Sequence, residues 1–250
     1  MNFARLGIAL VSFLALACPT LLQAAWQPLP IAEVVKLSRS GTPPQLVIQR
    51  IKSSRTTFAL RGSDFAKLKA AGVRDQVLDY LQQAFVDDLD QQTRYWMLGE
   101  GLGGCPFCYP QPVNLNTMQS GYGRVKATRP GGYTLGKPPG TPDWVPFPPP
   151  ASTGAPISVE QIVEMTRRGM PEGKLVQRIR TAQLTNVIGV GGPGEIRTHP
   201  AAGLGGAELA RLKERGVPTG ALDALQGRFL AMFIETERLR YQNLGKGPMR

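Results

Sequence analysis

The chain has 250 residues, of which 42% are hydrophobic and 19% charged, and 29 basic against 18 acidic residues give a net charge of +11. The apolar content is too high for a chain that is disordered throughout. A single His excludes a His-rich metal site, and three Cys are too few for a disulfide-dense scaffold. The same His is the one candidate for assisting a nucleophile.

The first 24 residues have the layout of a secretory signal peptide. Arg5 supplies a positive charge before the apolar run Leu6–Ala17, and the letters LQA before Ala25 form a small-residue cleavage site. The apolar run is shorter than the roughly 20 residues that a spanning helix needs. We therefore assign residues 1–24 to a signal peptide and expect a periplasmic or cell-envelope protein, with an uncleaved membrane anchor as the alternative.

Cys18 offers another route to the membrane. Bacterial lipoproteins are cut just before a cysteine that becomes acylated, and the letters ALA before Cys18 match the usual pattern only in part. In the simpler interpretation Cys18 is an apolar residue of the signal. Both interpretations place the rest of the chain outside the cytoplasm, where disulfides persist.

An internal repeat is the most specific signal in the chain. Residues 31–51 match residues 159–179 at a constant offset of 128, and residues 65–85 match residues 209–229 at an offset of 144. In the second block the letters LKAAGV face LKERGV. The sequence therefore predicts two copies of one module.

Each copy is predicted to contain four short helices. Apolar residues recur at helical spacing in both, and a glycine stands where the first and the third helix should end. These glycines are Gly41, Gly72, Gly169 and Gly216. Ser158 and Gln161 form a capping box, and the last helix is expected to run on in both copies. The predicted fold class is therefore mainly α.

Between its second and third helices, the second copy is longer than the first. There Leu184–Val190 and Glu195–His199 flank the letters GGPG, a pattern that predicts a small β-hairpin. The glycine-rich stretch lacks the Lys-Ser/Thr of a phosphate-binding P-loop, so we assign it no such role.

The segment between the copies is rich in Gly and Pro and is predicted to be an irregular linker. The predicted boundaries are 25–98 for the first copy, 99–154 for the linker and 155–250 for the second copy. Five aromatic residues are scattered through the linker, and packing on the modules is the favoured role for them. They are Tyr109, Tyr122, Tyr133, Trp144 and Phe147.

Cys105 and Cys108 form a CxxC motif inside the linker. A thioredoxin-type motif requires a neighbouring strand and helix, and neither is expected beside these cysteines. A structural zinc site would need a second Cys pair. We therefore predict a local disulfide, with thiol-disulfide exchange or metal handling as the alternatives. We predict no cofactor and no metal site.

The basic charge indicates anionic partners. An exported protein would meet anionic surface polymers or lipid headgroups, and no nucleic-acid-binding motif is present. The candidate contacts are Arg50, Lys52, Arg167, Arg168, Arg178 and Arg180. The alternative is that these residues form a solvated face that keeps the protein in solution.

Asp87, Asp88 and Asp90 cluster on the last helix of the first copy. We interpret them as part of a solvated face rather than as paired carboxylates for acid–base catalysis, since no pocket is predicted nearby. An enzyme with a cleft between the modules lacks a visible nucleophile–base pair, so no catalytic residue is assigned.

The pattern Val-x-x-Leu/Met-x-x-x-Gly, then Val-Ile-x-x-Ile, then Leu-Lys-x-x-Gly-Val resembles a helical module of uncharacterised exported bacterial proteins, often lipoproteins. Residues 209–219 are also similar to the short helical hairpin called SHOCT, without its acidic-aromatic pair. These resemblances imply a non-enzymatic interaction or scaffold protein of the cell envelope, with an unknown envelope protein or an anionic surface polymer as its partner.

Overall fold

The computed structural model describes residues 28–101, 138, 140–185 and 204–244. Eight helices lie in these residues, and the mainly α fold class is confirmed. The helices of the N-terminal half (28–101) are α1 (Ile31–Arg39), α2 (Pro44–Ser54), α3 (Gly62–Ala70) and α4 (Asp75–Gly101). Those of the C-terminal half (138–244) are α5 (Val159–Arg167), α6 (Glu172–Thr181), α7 (Gly206–Glu214) and α8 (Thr219–Leu244).

No strand forms within the described residues, where an isolated parallel bridge joins Ile157 to Leu184. The predicted β-hairpin begins at Leu184 and ends at His199, and its residues 186–199 lie outside the described part of the chain. The hairpin therefore stays a prediction.

Glycines end four of the helices, as the sequence predicts. Gly72 and Gly216 both have a φ of 92°, a left-handed conformation that glycine adopts without strain. The next residue closes the helix end, because Val73 N donates to the carbonyl of Leu68 at 3.0 Å. Gly41, Gly169 and Gly216 are followed by equivalent hydrogen bonds. The role of these glycines is structural.

The predicted capping box at the start of α5 is also present. The Ser158 amide donates to Gln161 Oε1 at 2.9 Å, and the Gln161 amide donates to Ser158 Oγ at 3.3 Å. Two amides of the first turn that lack helical partners are thus satisfied.

One hydrophobic core runs through both halves. Helix α3 packs against α7, and α4 packs against α8, while α3 also touches α8 and α4 touches α7. Outside this centre, α2 packs on α4 and α6 packs on α8. The shorter helix α1 lies beside α2, and the shorter helix α5 lies beside α6. Fully buried side chains at the centre include Phe65, Leu78, Leu81, Leu209 and Leu222. Burial of each such side chain contributes about 1.5–3 kcal/mol.

The halves approach most closely at two glycines. A Cβ atom at Gly62 would lie 2.3 Å from the carbonyl oxygen of Leu222, and one at Gly206 would lie 2.2 Å from that of Leu78. Since both obstacles are backbone atoms, a larger residue at either position would push the halves apart.

Two aspartates bind the helix starts of the opposite half. Asp223 Oδ1 accepts a hydrogen bond from the Ser63 amide at 2.8 Å, and Asp79 Oδ1 accepts one from the Ala207 amide at 2.8 Å. The first amides of a helix lack intrahelical partners and attract negative charge. Each half thereby fixes the third helix of the other.

A pair of glutamines joins the two long helices in the core. Gln82 Nε2 donates to Gln226 Oε1 at 3.2 Å, and Gln226 Nε2 donates to Gln82 Oε1 at 2.8 Å. Both side chains are buried. Because each amide satisfies the other, this polar pair sets the register of α4 against α8.

Candidate interaction surfaces

Residues 140–157, which we name the strap, lie against the C-terminal half. Val145 is fully buried, and Gly227 of α8 lies beside Trp144 and Pro146. The strap therefore belongs to the packed part of the molecule, although much of it falls in the segment that the sequence assigns to a linker.

The two aromatic residues of the strap contact the N-terminal half. The guanidinium of Arg61 lies 5.9 Å from the ring centroid of Trp144, and Phe147 meets Trp96 edge-on at 6.4 Å between centroids. The packing role predicted for Trp144 and Phe147 is confirmed. Tyr109, Tyr122 and Tyr133 lie outside the described residues.

A buried arginine holds the strap in place. Arg228 of α8 is 2% exposed, and its guanidinium donates to the carbonyls of Pro150 at 2.7 Å and Ala182 at 2.9 Å, and to Ser152 Oγ at 2.8 Å. Burial lowers the pKa of the Arg228 guanidinium, which nevertheless keeps its proton. Three hydrogen bonds offset the cost of burying this charge.

The end of the strap is extended and pairs with the chain that leaves α6. The Thr153 amide donates to the Thr181 carbonyl at 3.0 Å, and the Ile157 amide donates to that of Gln183 at 2.8 Å. The Thr185 amide then donates back to Ile157 at 2.9 Å. The C-terminal half thus holds an extended segment across the end of α6 and the side of α8.

The N-terminal half has a cavity of about 490 Å³ between the end of α2 and the side of α4. Its lining includes Lys52, Arg55, Tyr80, Ala84, Asp87 and Asp88. The Lys52 ammonium lies 5.3 Å from the Tyr80 ring centroid. Burial, and then the charge of Asp87, raises the pKa of the Tyr80 hydroxyl.

The acidic residues of this helix were predicted to form a solvated face. Asp87 is exposed and accepts a hydrogen bond from Gln83 at 2.6 Å, whereas Asp88 is half-buried and accepts one from Thr57 at 3.3 Å. Asp90 is half-buried. Since two of them line a cavity, the expectation that no pocket lies nearby is wrong.

The predicted anionic contacts occupy both halves. Arg50 and Lys52 are exposed on α2, and Arg180 is exposed in the last turn of α6. Two others have intramolecular partners, because Arg168 pairs with Glu164 at 2.8 Å and Arg178 donates to the Ala155 carbonyl at 3.2 Å.

Arg167 is exposed in the last turn of α5. With Arg168 and Arg180 it gives the C-terminal half three exposed basic side chains among the predicted contacts.

All three cysteines fall outside the described residues. Cys18, Cys105 and Cys108 are in this group, so lipidation, the local disulfide and the redox or metal alternatives stay predictions. Among residues 28–101, 140–185 and 204–244, no group of three or more His, Cys, Asp or Glu side chains is placed to hold a metal ion. The helices in these ranges include none long and apolar enough to cross a membrane.

Sequence reasoning missed the residues that join the halves and the arginine that binds the strap. A signal for the first group was present, because Gly62, Asp79 and Gln82 recur as Gly206, Asp223 and Gln226 at the same offset of 144. No such signal exists for Arg228, whose counterpart at that offset is Ala84.

Comparison of the chain with models of protein families, with characterised proteins and with solved structures gives no match.

Proposed function

We propose that the chain consists of two copies of one four-helix module that are fused into a single scaffold. The observation that carries this proposal is the pairing of contacts between the halves. Gly62 and Gly206 each meet a backbone carbonyl of the other half, and each half provides one member of the glutamine pair. Two identical partners that meet face to face would contact each other in this reciprocal way.

The fused modules are proposed to act as a non-enzymatic interaction or scaffold protein of the cell envelope. The signal-peptide pattern of residues 1–24 supports export, and the shared core supports a rigid platform with two outer helix pairs. One outer pair is formed by α1 and α2, the other by α5 and α6. Such a platform presents two similar surfaces at a fixed separation.

Anionic envelope components are the proposed ligands of the outer helices. Exposed Arg50, Arg167 and Arg180 support this, together with the net charge of +11. A basic side chain close to an anionic membrane surface contributes about 1 kcal/mol to binding. Each substitution of such a residue should therefore weaken binding by about fivefold.

The test is cosedimentation of the chain with phosphatidylglycerol or phosphatidylcholine vesicles. We expect binding to the anionic vesicles that weakens as salt is added, and weaker binding for Arg167→Ala with Arg180→Ala. The matched control is Lys67→Ala, which removes a cation whose side chain pairs with Asp64 at 2.8 Å. Equal binding to both vesicle types, or equal loss in the control, would contradict the proposed ligand class.

Export is tested separately by the intact mass of the chain recovered from the envelope. A start at Ala25 is the expected result. A lipid-modified Cys18 would instead make the protein a membrane-anchored lipoprotein, and a retained Met1 with cytoplasmic recovery would contradict an envelope function.

A further inference from the structure

The surface by which each half binds the other is nearly the same in both halves, and we name it the junction surface. In the N-terminal half it is defined by Gly62, Ser63, Leu78, Asp79 and Gln82. At the offset of 144 the C-terminal half has Gly206, Ala207, Leu222, Asp223 and Gln226. Four of the five positions are identical, and the fifth contributes only its backbone amide. The junction surface is therefore complementary to itself.

A second N-terminal half offers every group that the C-terminal half offers at the junction. Gly62 would meet the Leu78 carbonyl of the second copy in place of the Leu222 carbonyl. The Ser63 amide would donate to Asp79 of the second copy in place of Asp223. The buried glutamine would pair with its own copy, since an amide both donates and accepts.

The packing around the glycine favours the N-terminal half for such a pair. The Phe65 ring lies 2.6 Å from the place of a Cβ atom at Gly206, and Gly62 of a second copy leaves the same room. The equivalent of Phe65 in the C-terminal half is Leu209. Because leucine is smaller, a pair of C-terminal halves is less well filled at this point.

We propose that the junction surface of the N-terminal half also binds the same surface of a second copy of the chain. The proposal rests on the proposed duplication of the module. Two identical halves that meet in this way are related by a two-fold axis and form an isologous interface. When the two C-terminal halves pair likewise, two junctions within chains are exchanged for two junctions between chains.

The strap favours pairing within one chain. Trp144 lies over the guanidinium of Arg61, and Phe147 meets the ring of Trp96. At the offset of 144 the equivalents of Arg61 and Trp96 are Gly205 and Arg240, so a pair of C-terminal halves cannot reproduce these contacts. A pair of N-terminal halves contains no strap.

The covalent connection favours the same outcome. Two surfaces on one chain meet at an effective concentration of millimolar order, which exceeds the concentration of a second copy in a micromolar solution. The unmodified chain is therefore expected to be monomeric at micromolar concentration. Pairing between copies should appear when the junction within the chain is blocked or the strap contacts are removed.

The first experiment blocks the junction within the full chain by Gly206→Phe and measures mass by sedimentation equilibrium. The new side chain collides with the Leu78 carbonyl, whereas the junction surface of the N-terminal half stays intact. We expect a dimer at micromolar concentration. The control is the double variant Gly62→Phe with Gly206→Phe, which blocks both surfaces and should be monomeric.

Two aspartates show which halves have paired in the Gly206→Phe dimer. In a pair of N-terminal halves each Ser63 amide depends on Asp79, so Asp79→Ala should weaken the dimer at least tenfold and expose the Ser63 amide to hydrogen exchange. Asp223→Ala is the matched control and should leave the dimer unchanged. In the unmodified chain the Ser63 amide depends on Asp223 instead.

The second experiment removes the strap contacts and leaves both junction surfaces unchanged. Arg61→Ala with Trp96→Ala deletes the two partners of the strap aromatics in the N-terminal half. We expect the dimerisation constant of the full chain to rise at least tenfold. Arg50→Ala, at an exposed arginine of α2, is the control and should leave it unchanged. Unchanged helical circular dichroism shows that each variant is folded.

Several results would overturn the proposal. A Gly206→Phe chain that stays monomeric after its Ala207 amide has lost protection would do so, as would association that persists in the double variant. Equal effects of Asp79→Ala and Asp223→Ala would mean that unlike halves have exchanged between chains. Full protection of the Ala207 amide in Gly206→Phe would instead contradict the close contact of the halves, and with it the proposed duplication.

Discussion

The two halves make the same contacts with each other but differ in the groove between their second and fourth helices. At the junction, the equivalent residues Asp79 and Asp223 hold equivalent helix starts at the same 2.8 Å distance. In the groove, Arg228 faces a strap that belongs to the chain, whereas Ala84 faces a cavity. Reciprocal contacts constrain both halves at once, whereas a groove can change in one half alone.

The largest loss of stability is expected at the two glycines where the backbones of the halves come closest. Gly206→Ala places a methyl group 2.2 Å from the Leu78 carbonyl oxygen, and Gly62→Ala makes the equivalent clash with Leu222. Each should lower the free energy of unfolding by about 3 kcal/mol, because a packed backbone must move. Urea denaturation measures this loss.

The control for both substitutions is Gly173→Ala. Gly173 lies in α6, and a Cβ there meets nothing within 4 Å. Alanine favours a helix more than glycine, so stability should stay equal or rise by about 0.5–1 kcal/mol. Comparable losses at Gly206 and Gly173 would show that the close approach of the halves is absent.

The next largest loss of stability is expected at Arg228, the residue by which the two grooves differ. Arg228→Met removes three hydrogen bonds and leaves the carbonyls of Pro150 and Ala182 without that donor. We expect a loss of about 2–3 kcal/mol. Arg228→Lys should restore little of it, because an ammonium cannot reproduce the planar fork of a guanidinium.

Hydrogen exchange checks the Arg228 prediction locally. Protection of the Thr153 and Ile157 amides should fall in Arg228→Met, while the Val73 amide at the end of α3 keeps its protection. A uniform fall across both halves would mean that Arg228 supports the global fold rather than the strap.

A smaller effect is expected at the glutamine pair. Gln82→Met leaves the buried amide of Gln226 without a partner and should cost about 1.5 kcal/mol. Adding Gln226→Met should recover most of this loss, because both polar groups are then gone. A double-mutant cycle measures the coupling, and strictly additive losses would contradict the pairing.

The aspartates at the helix starts should give matched, modest losses. Asp79→Ala and Asp223→Ala each remove one bond to a helix amide, and about 1 kcal/mol is expected for each. Glu33→Ala, at a half-buried carboxylate that lies 3.9 Å from the Lys36 ammonium, is the control and should be neutral. A large difference between the two aspartates would argue against reciprocal contacts.

The smallest effect on stability is expected for the exposed pair of Glu160 and Arg215. The hydrogen bonds from Arg215 lower the pKa of the Glu160 carboxyl. The stability that the ionised Glu160 carboxylate contributes is therefore present above the ordinary pKa of a glutamate. It disappears as the pH falls through the lowered pKa. Because solvent screens the pair, Glu160→Gln should leave the unfolding midpoint at pH 7 unchanged. A clear shift would reveal an unexpected role for this pair.

Local patterns were sufficient to predict the helices and their ends. The spacing of apolar residues indicated the helices, and Gly72 and Gly216 marked two of their ends, because these features depend on neighbours in sequence. The groove was not predictable, since Arg228 bonds to Pro150, 78 residues away. A hydrogen bond between such distant residues leaves no periodic pattern.

The most direct test of the shared core is to cut the chain between the halves. A protease site inserted in the segment 102–137 allows cleavage of the folded protein, followed by native mass spectrometry. We predict that the two fragments remain together as a one-to-one complex, and that Gly62→Ala and Gly206→Ala each weaken it to a similar extent. Fragments that separate after cleavage would contradict the account.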